Sequence, residues 1–247
     1  MAPAAARGRP AGLRHRESVL AMMSALDTTV PNVARIYDYW LGGKDHFAAD
    51  RAEAQRLAEL YPPLPALARE NRTFVIKAAR WAARQGIGQF IDLGTGLPAC
   101  PPVHQAARAV RPEARVAYVD IDPVVLSHAR ALLATGDGVA AVDADLRDPA
   151  AVLGHQDLRA VINPGQPVCV ILGAVSHFLD PQAARAVTAG YASLMAPGSC
   201  LILSCARFED EELARQLARE YTAATWYNHH LPTSRSSSMG WTWPGPG

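Results

Sequence analysis

Five short apolar segments, each followed by a helical pattern, constrain the fold of this chain more than any other feature. The first, Gln89–Leu93, runs directly into a glycine turn, and the fourth, which begins at Pro167, is the most apolar. The second, third and fifth begin near Arg115, Val139 and Ser199. Apolar runs of this length, separated by helices, are typical of parallel strands buried on both faces. The sequence therefore predicts an α/β domain with a mostly parallel, doubly wound sheet.

Three helices are predicted before the first strand. Pro31 stands at a first-turn position, and the pair Gly42-Gly43 ends the helix that begins there. The three predicted helices cover about residues 31–39, 51–61 and 67–85. A later helical segment is expected near residues 150–158, and a strongly periodic helix at about 210–225 closes the pattern.

Length and charge exclude several classes of protein. The 247 residues suffice for one α/β domain with a sizeable core, and they are too few for two. A formal net charge of +1 does not predict a dedicated nucleic-acid binder. No apolar run reaches the roughly 18 residues of a membrane span, so no membrane association is expected.

The cysteines and the N-terminal residues indicate a cytoplasmic protein. The four cysteines show neither a CxxC pair nor zinc-ligand spacing, which predicts reduced thiols and no metal site. Residues 1–26 are rich in Ala, Pro and Arg and contain no secretory apolar region. We expect this segment to be a disordered leader, with Met22 or Met23 as a possible true start; a functional basic arm is the alternative.

The glycine turn after the first strand carries the first candidate site. It reads Asp92-Leu-Gly94-Thr95-Gly96, and Ala99 occupies the place where a dinucleotide fingerprint has its third glycine. Glycines here let the backbone approach a ligand at the carboxyl end of the sheet. The missing glycine favours a nucleoside cofactor without phosphates over a nicotinamide dinucleotide, and a plain tight turn is the alternative.

Acidic residues follow the second and third strands as well. Asp120 stands where a carboxylate accepts hydrogen bonds from ribose hydroxyls, whereas Asp122 before a proline fits a helix N-cap. After the third strand, Asp145 could accept from an adenine amino group while Leu146 covers a ring face; capping is the alternative. Three acidic residues at the ends of successive strands predict one shared adenosine site.

The segment after the fourth strand contains His177. A histidine at this position could serve as a general base, because its unperturbed pKa lies near ~6.5. It could equally be a packed histidine that orients a loop. The residues themselves leave both readings open.

Several blocks together resemble a known family. They are PNVARIYDYWLGGKDHFAADR, NRTF, QFIDLGTGLP, VAYVDIDPVVLSHARALL and VDADLRDP. They make residues 27–228 similar to the actinobacterial S-adenosyl methyltransferase family, once known only as a domain of unknown function. The resemblance implies a Rossmann-like class I methyltransferase fold, with a helical lid over residues 27–85 and a core over 86–228.

The resemblance also implies roles for individual residues. S-adenosyl-L-methionine is the implied cofactor, and the implied partner is a small-molecule methyl acceptor. The implied cofactor-binding residues are Asp92, Gly94, Thr95, Gly96, Asp120, Asp145 and Leu146. The implied lid residues are Tyr37, Tyr39, Gly43, Lys44 and Asp45. Simple packing of the two aromatic residues is the alternative for the lid block. A non-catalytic cofactor-binding protein, or a decayed fragment, is the competing functional interpretation.

The stretch 229–247 departs from the family pattern. The family continues with a segment like ADIxxFFxGLELVxPGLV, which supplies the last antiparallel strand pair, whereas this chain reads LPTSRSSSMGWTWPGPG. Codons can be chosen for that peptide whose third-base frame reads Ala-Asp-Ile-Ala-Gln-Phe-Phe-Asp-Gly-Met-Asp-Leu-Ala-Gly-Pro-Gly. We therefore predict a frameshift near residues 229–231, either real or a sequencing error, and a sheet that lacks its last two strands.

Overall fold

The computed structural model of the protein describes residues 27–229. The predicted leader, 1–26, lies outside the described residues. So does the predicted aberrant tail, apart from its first residue, His229.

Five parallel strands form one sheet in the order β3-β2-β1-β4-β5. The strands are β1 (Gln89–Leu93), β2 (Arg115–Asp120), β3 (Val139–Asp143), β4 (Cys169–Gly173) and β5 (Cys200–Ser204). The strand order reverses at β1, which pairs with β2 on one side and β4 on the other. This topology confirms the predicted α/β fold with a parallel, doubly wound sheet.

Nine α-helices lie in the described part of the chain. They are α1 (Val33–Leu41), α2 (Ala48–Leu60), α3 (Leu64–Arg84), α4 (Val103–Arg108), α5 (Pro123–Leu132), α6 (Pro149–Gly154), α7 (Gln156–Val161), α8 (Pro181–Leu194) and α9 (Glu211–Glu220). A short 3-10 helix, Ser176–Phe178, follows β4. Among these helices none has the length and hydropathy that would let it cross a membrane.

Two predicted helices differ from the observed ones. The first does not begin at Pro31: Asn32 is its N-cap, with extended backbone, and its side chain accepts hydrogen bonds from the backbone N–H groups of Ala34 and Arg35. Side-chain capping satisfies the free N–H groups of a first turn better than proline does. The helix predicted near 150–158 is two helices, because the chain leaves helical geometry at His155.

Alternate residues of each strand enter two separate cores. On β1, Phe90 belongs to the core covered by α3, whereas Ile91 belongs to the core on the opposite face. The α3 side is built largely of alanines, which lets this long helix lie close to the sheet. Helices on both faces bury every residue of β1, and this leaves the strand ends as the place for a site.

A third core joins the N-terminal helices to the end of the described chain. Trp40 of α1 and Leu57 of α2 pack with Leu217 of α9 and with Trp226. Glu53 strengthens the junction, because its carboxylate accepts hydrogen bonds from the backbone N–H and the hydroxyl of Thr222. The helices before β1 are thereby fixed to the C-terminal half of the domain.

Candidate cofactor-binding site

A cavity of about 1320 Å³ opens at the carboxyl ends of the strands, beneath α1 and α3. Open α/β sheets bind ligands at this edge, where the strand order reverses. The residues after each strand contribute to the wall: 94–97, 119–124, 144–147, 173–175 and 203–208. One cavity therefore touches all five strand ends.

The glycine turn after β1 forms part of this wall. Gly94 and Gly96 have positive φ angles of 62° and 65°, a region that side chains disfavour. A Cβ atom at Gly94 would lie 2.6 Å from Cγ2 of Val175. The turn thus needs glycine both for its backbone and for its close approach to the loop after β4. Thr95, which lies between the two glycines, also lines the cavity.

Asp92 lies beneath the turn, fully within the protein and outside the cavity wall. Its Oδ2 atom accepts a hydrogen bond from the Thr95 hydroxyl at 3.2 Å. Burial raises the pKa of Asp92 to about 6, against the opposing effect of the Arg72 guanidinium. Asp92 is thus a buried acid with a nearby cation and one side-chain donor.

Asp120 lines the cavity at the end of β2. Its Oδ2 accepts from the N–H of Gly96 at 3.0 Å, and its Oδ1 accepts from the N–H groups of Ile121 and Asp122. Burial raises the pKa of this carboxyl group, and the backbone donors oppose the shift. A carboxylate has about four lone-pair sites, so Asp120 can still accept from a ligand. Asp122 caps α5, which confirms its predicted role.

Asp145 and Leu146 both line the cavity after β3. The Asp145 carboxylate is already bound by Arg147, whose Nε lies 2.9 Å from Oδ1 and 2.8 Å from Oδ2. These bonds lower the pKa of Asp145. An adenine amino group would therefore share this carboxylate with Arg147.

His177 also lines the cavity, within the 3-10 turn after β4. Its Nδ1 accepts a hydrogen bond from the N–H of Ala206 at 3.3 Å, and its carbonyl accepts from the N–H of Tyr227. Burial lowers the pKa of His177 to about 3. This histidine ties the loop after β4 to two later segments while it stays neutral.

The predicted lid residues divide into two groups. Tyr37 lines the cavity, and its hydroxyl accepts from Asn71 Nδ2 at 2.8 Å and donates to the carbonyl of Ala68. Tyr39 faces away from the cavity, where its hydroxyl accepts from Gln55. The remaining lid residues form a turn outside the cavity wall, in which Gly43 and Lys44 are exposed and Asp45 is half-buried.

The exposed turn nevertheless has a defined structure. The buried Asp38 accepts a hydrogen bond from the N–H of Asp45 at 2.9 Å. A Cβ atom at Gly43 would lie 1.9 Å from Oδ1 of Asp38. Glycine at position 43 is therefore required so that Asp38 can hold the turn.

Two residues outside the predicted set connect the helices to the site. Arg72 of α3 lines the cavity; its Nη2 donates to two carbonyl groups, and its buried Nε has no hydrogen-bond partner within residues 27–229. Asn32 donates from Nδ2 to Oδ2 of Asp122 at 2.8 Å, which joins the lid to the helix after β2. The NRTF block contains Arg72 and was the available signal for it, whereas the partner of Asn32 lies 90 positions away in sequence.

These groups fit an adenosyl cofactor with an amino-acid end. Asp120 places a carboxylate beside a turn with a glycine on each side of Thr95, which suits ribose hydroxyls. The guanidinium of Arg72, with its unpartnered Nε, suits a carboxylate. Asp92 below the turn suits an ammonium group. Within the described part of the chain no cluster of metal-ligating side chains was found.

Comparison with known proteins points to the same cofactor. Residues 20–237 match the sequence profile of a family described as S-adenosyl methyltransferase. A presumed methyltransferase of Thermobifida fusca, known from a crystal structure, is 41% identical with a TM-score of 0.74, over 82% of this chain and 77% of its own. A DUF574 family protein of Streptomyces avermitilis is 36% identical with a TM-score of 0.77, over 82% and 79%.

A search among curated proteins gave no match. The profile covers well over half of the chain, and the two solved structures are similar to it in both sequence and fold. The chain therefore belongs to the S-adenosyl methyltransferase family, and S-adenosylmethionine is its cofactor.

Proposed function

We propose that this protein is an active enzyme that transfers the methyl group of S-adenosylmethionine to a small-molecule acceptor by in-line displacement. The observation that carries the proposal is the single cavity that joins the glycine turn and Asp120 to the loops after β4 and β5. A cofactor held at the first three strands would then face an acceptor held at the last two.

The residues of the site have separate tasks in this proposal. Asp120 would bind the ribose hydroxyls, and Asp145 with Leu146 would bind the adenine. Arg72 would bind the carboxylate of the methionine end, while Asp92, behind the cavity wall, would favour its ammonium group through charge without contacting it. When bound, the cofactor supplies a methyl carbon already activated by its sulfonium, so the protein mainly orients the reactants and excludes water.

His177 is assigned a positioning role rather than that of a general base. Its pKa of about 3 makes it a weak proton acceptor, and its Nδ1 already accepts a backbone N–H. A base works best when its pKa lies near the working pH. His177 instead fixes the loop after β4 against the loop after β5, beside the acceptor.

The competing function is cofactor binding without turnover, for which the aberrant sequence of 229–247 is the motive. We propose a cytoplasmic location for the protein with either function. The four cysteines are all free thiols, and reduced cysteines are usual in that compartment.

Calorimetry and a product assay test the proposal together. We expect the full-length protein to bind S-adenosylhomocysteine and to bind NADH much more weakly. Incubation with S-adenosylmethionine carrying a labelled methyl group and an acceptor library should give a labelled small molecule. Tighter binding of NADH would refute the cofactor assignment, and cofactor binding without any labelled product would favour the non-catalytic function.

A further inference from the structure

The cavity is larger than one bound cofactor requires. Its volume of about 1320 Å³ exceeds the roughly 300–1,000 Å³ of sites that hold one drug-sized ligand. The groups assigned to the cofactor stand at the ends of β1, β2 and β3. The part of the cavity beside β4 and β5 therefore has room for a second molecule.

Six large side chains form the wall of this second part, which we call the acceptor chamber. They are Trp40, Phe178, Phe208, Leu217, Tyr221 and Trp226. Five of the six are aromatic, and they come from α1, the 3-10 turn after β4, the loop after β5, and α9 with the segment that follows it. The chamber is thus built where four separate parts of the chain meet.

The rings of the chamber contact one another rather than standing alone. The centroids of Phe208 and Trp226 are 5.3 Å apart at an interplanar angle of 66°. Those of Phe178 and Tyr221 are 5.6 Å apart at 41°. His177 links the two pairs, because its ring lies 4.3 Å from Phe178 and 6.2 Å from Trp226. A ligand in the chamber would meet the half-buried rings of Phe178 and Tyr221, backed by Trp40, Phe208 and Trp226, which are only 7–8% exposed.

Two titratable groups beside the chamber are neutral, whereas one cation stands at its exposed rim. That cation is Arg207, which lines the cavity and lies 3.8 Å from the carboxylate of the 91% exposed Glu209. Burial keeps Cys205 a neutral thiol with a pKa of about 11, and it keeps His177 neutral with a pKa of about 3. A charged group placed between the rings, away from Arg207 at the rim, would lose its hydration without gaining a partner.

We infer that the methyl acceptor is an uncharged aromatic small molecule that stacks in the acceptor chamber. The inference rests on the proposed function, because it takes the second ligand of the cavity to be the acceptor. Aromatic pairs favour offset and edge-to-face contacts, which stabilise them beyond the burial of area. Several rings around one ligand can therefore select an aromatic molecule over an aliphatic one of equal size.

Two probes of the same shape test the inference. The full-length protein is saturated with S-adenosylhomocysteine and titrated with 2-naphthol or with naphthalene-2-sulfonate in a calorimeter. We expect 2-naphthol to bind at least tenfold more tightly. Trp226→Leu should weaken 2-naphthol binding at least fivefold, whereas Trp226→Phe should retain most of it. Trp81→Leu, a matched change in α3 outside the cavity wall, should leave the affinity for 2-naphthol unchanged.

The outcomes separate this inference from the proposed function. Binding of S-adenosylhomocysteine without 2-naphthol binding, equal affinity for both probes, or no effect of Trp226→Leu would overturn the inference alone. Failure to bind S-adenosylhomocysteine would instead overturn the proposed function. Titration of 2-naphthol into the protein without S-adenosylhomocysteine would then decide the present inference. If circular dichroism shows that Trp226→Leu is unfolded, Phe178→Leu serves in its place with the same expected result.

Discussion

At the scale of single residues, two neighbouring acids differ in what surrounds their charge. The Asp120 carboxylate accepts three backbone N–H groups, whereas Asp92 accepts only from the Thr95 hydroxyl. Both pKa values are raised, chiefly by burial. The three backbone N–H groups oppose the rise in the pKa of Asp120. For Asp92 the opposing effect comes first from the nearby Arg72 guanidinium.

The environment of Asp92 predicts a pH-dependent stability. Its pKa is raised from 3.8 to about 6 in the folded protein, so the folded state holds the proton more tightly than the unfolded state. Stability should therefore fall as the pH rises from about 4 to 6. Asn cannot titrate, so the stability of Asp92→Asn relative to the native protein should increase by about 2 kcal/mol over this range. Urea unfolding of both cofactor-free proteins at several pH values measures this difference in stability. Parallel pH profiles of the two proteins would refute the prediction.

The position of Asp120 predicts a loss of cofactor affinity on substitution. Asp120→Asn keeps the size of the side chain but removes its charge and half of its acceptor sites. Hydrogen bonds to charged groups contribute about 1.5–3 kcal/mol each, so the affinity for S-adenosylhomocysteine should fall by about 10- to 100-fold. Calorimetry measures the change. Asp180→Asn, at the N-cap of α8 and outside the cavity wall, is the control; equal affinity in the native protein and Asp120→Asn would contradict the ribose assignment.

At the scale of elements, one side chain both begins α1 and docks it. Asn32 accepts the N–H groups of Ala34 and Arg35, and it donates to Asp122, the cap of α5. Arg35 adds a buried ion pair with Asp50 at 2.8 Å. The lid is thus held over the ribose end of the cavity by the same groups that define its first turn.

Separate substitutions of Asn32 distinguish capping from docking. The Asn32→Ser side chain can still cap α1, but it lacks the amide group that donates to Asp122. The α1 helix should therefore remain formed but separate from α5 more often. Asn32→Ala should lose both and cost about 1–2 kcal/mol of stability. Amide hydrogen exchange over residues 33–41, with unfolding in urea, measures the two effects. Identical exchange in Asn32→Ser and the native protein would show that the bond to Asp122 does not hold the lid.

Close packing at Gly43 makes a second prediction for the lid. A Cβ atom there would collide with the Asp38 carboxylate, so Gly43→Ala should displace Asp38 and cost about 1–3 kcal/mol of stability. Gly154→Ala is the matched control, because no atom lies within 4 Å of its added Cβ and alanine favours the helical state. Thermal unfolding of the two variants compares them. Equal melting temperatures would mean that the turn rearranges without cost.

The elements were more predictable from sequence than the site. All five strands lie where the apolar runs predict them, since burial on both faces leaves a local signal. Asp120 was predictable because it directly follows a strand. Local patterns did not predict Arg72 or the ring pair of Phe208 and Trp226, because only packing brings α3 and the C-terminal segment to the strand ends. Asn32 was missed because a proline beside it suggested a different helix start.

At the scale of the whole molecule, the described sheet ends at β5, which pairs with β4 alone. An uncovered edge strand offers its free backbone groups to other chains, which favours association. The residues proposed to bind the cofactor stand at β1, β2 and β3, so we expect cofactor binding to be independent of whether the β5 edge is covered.

The frameshift proposal concerns this edge and makes the last prediction. We expect the codons of residues 231–247 to read, in the third-base frame, as a segment like the family's final strands. Sequencing of the locus and its transcript checks this directly. A chain rebuilt in that frame should cover β5, and each kcal/mol gained should raise the Tm by about 2–4 °C in a domain of this size. A chain cut after His229 is the control. If the rebuilt and cut chains melt and associate alike, the third-base segment adds nothing to this sheet and the proposal fails.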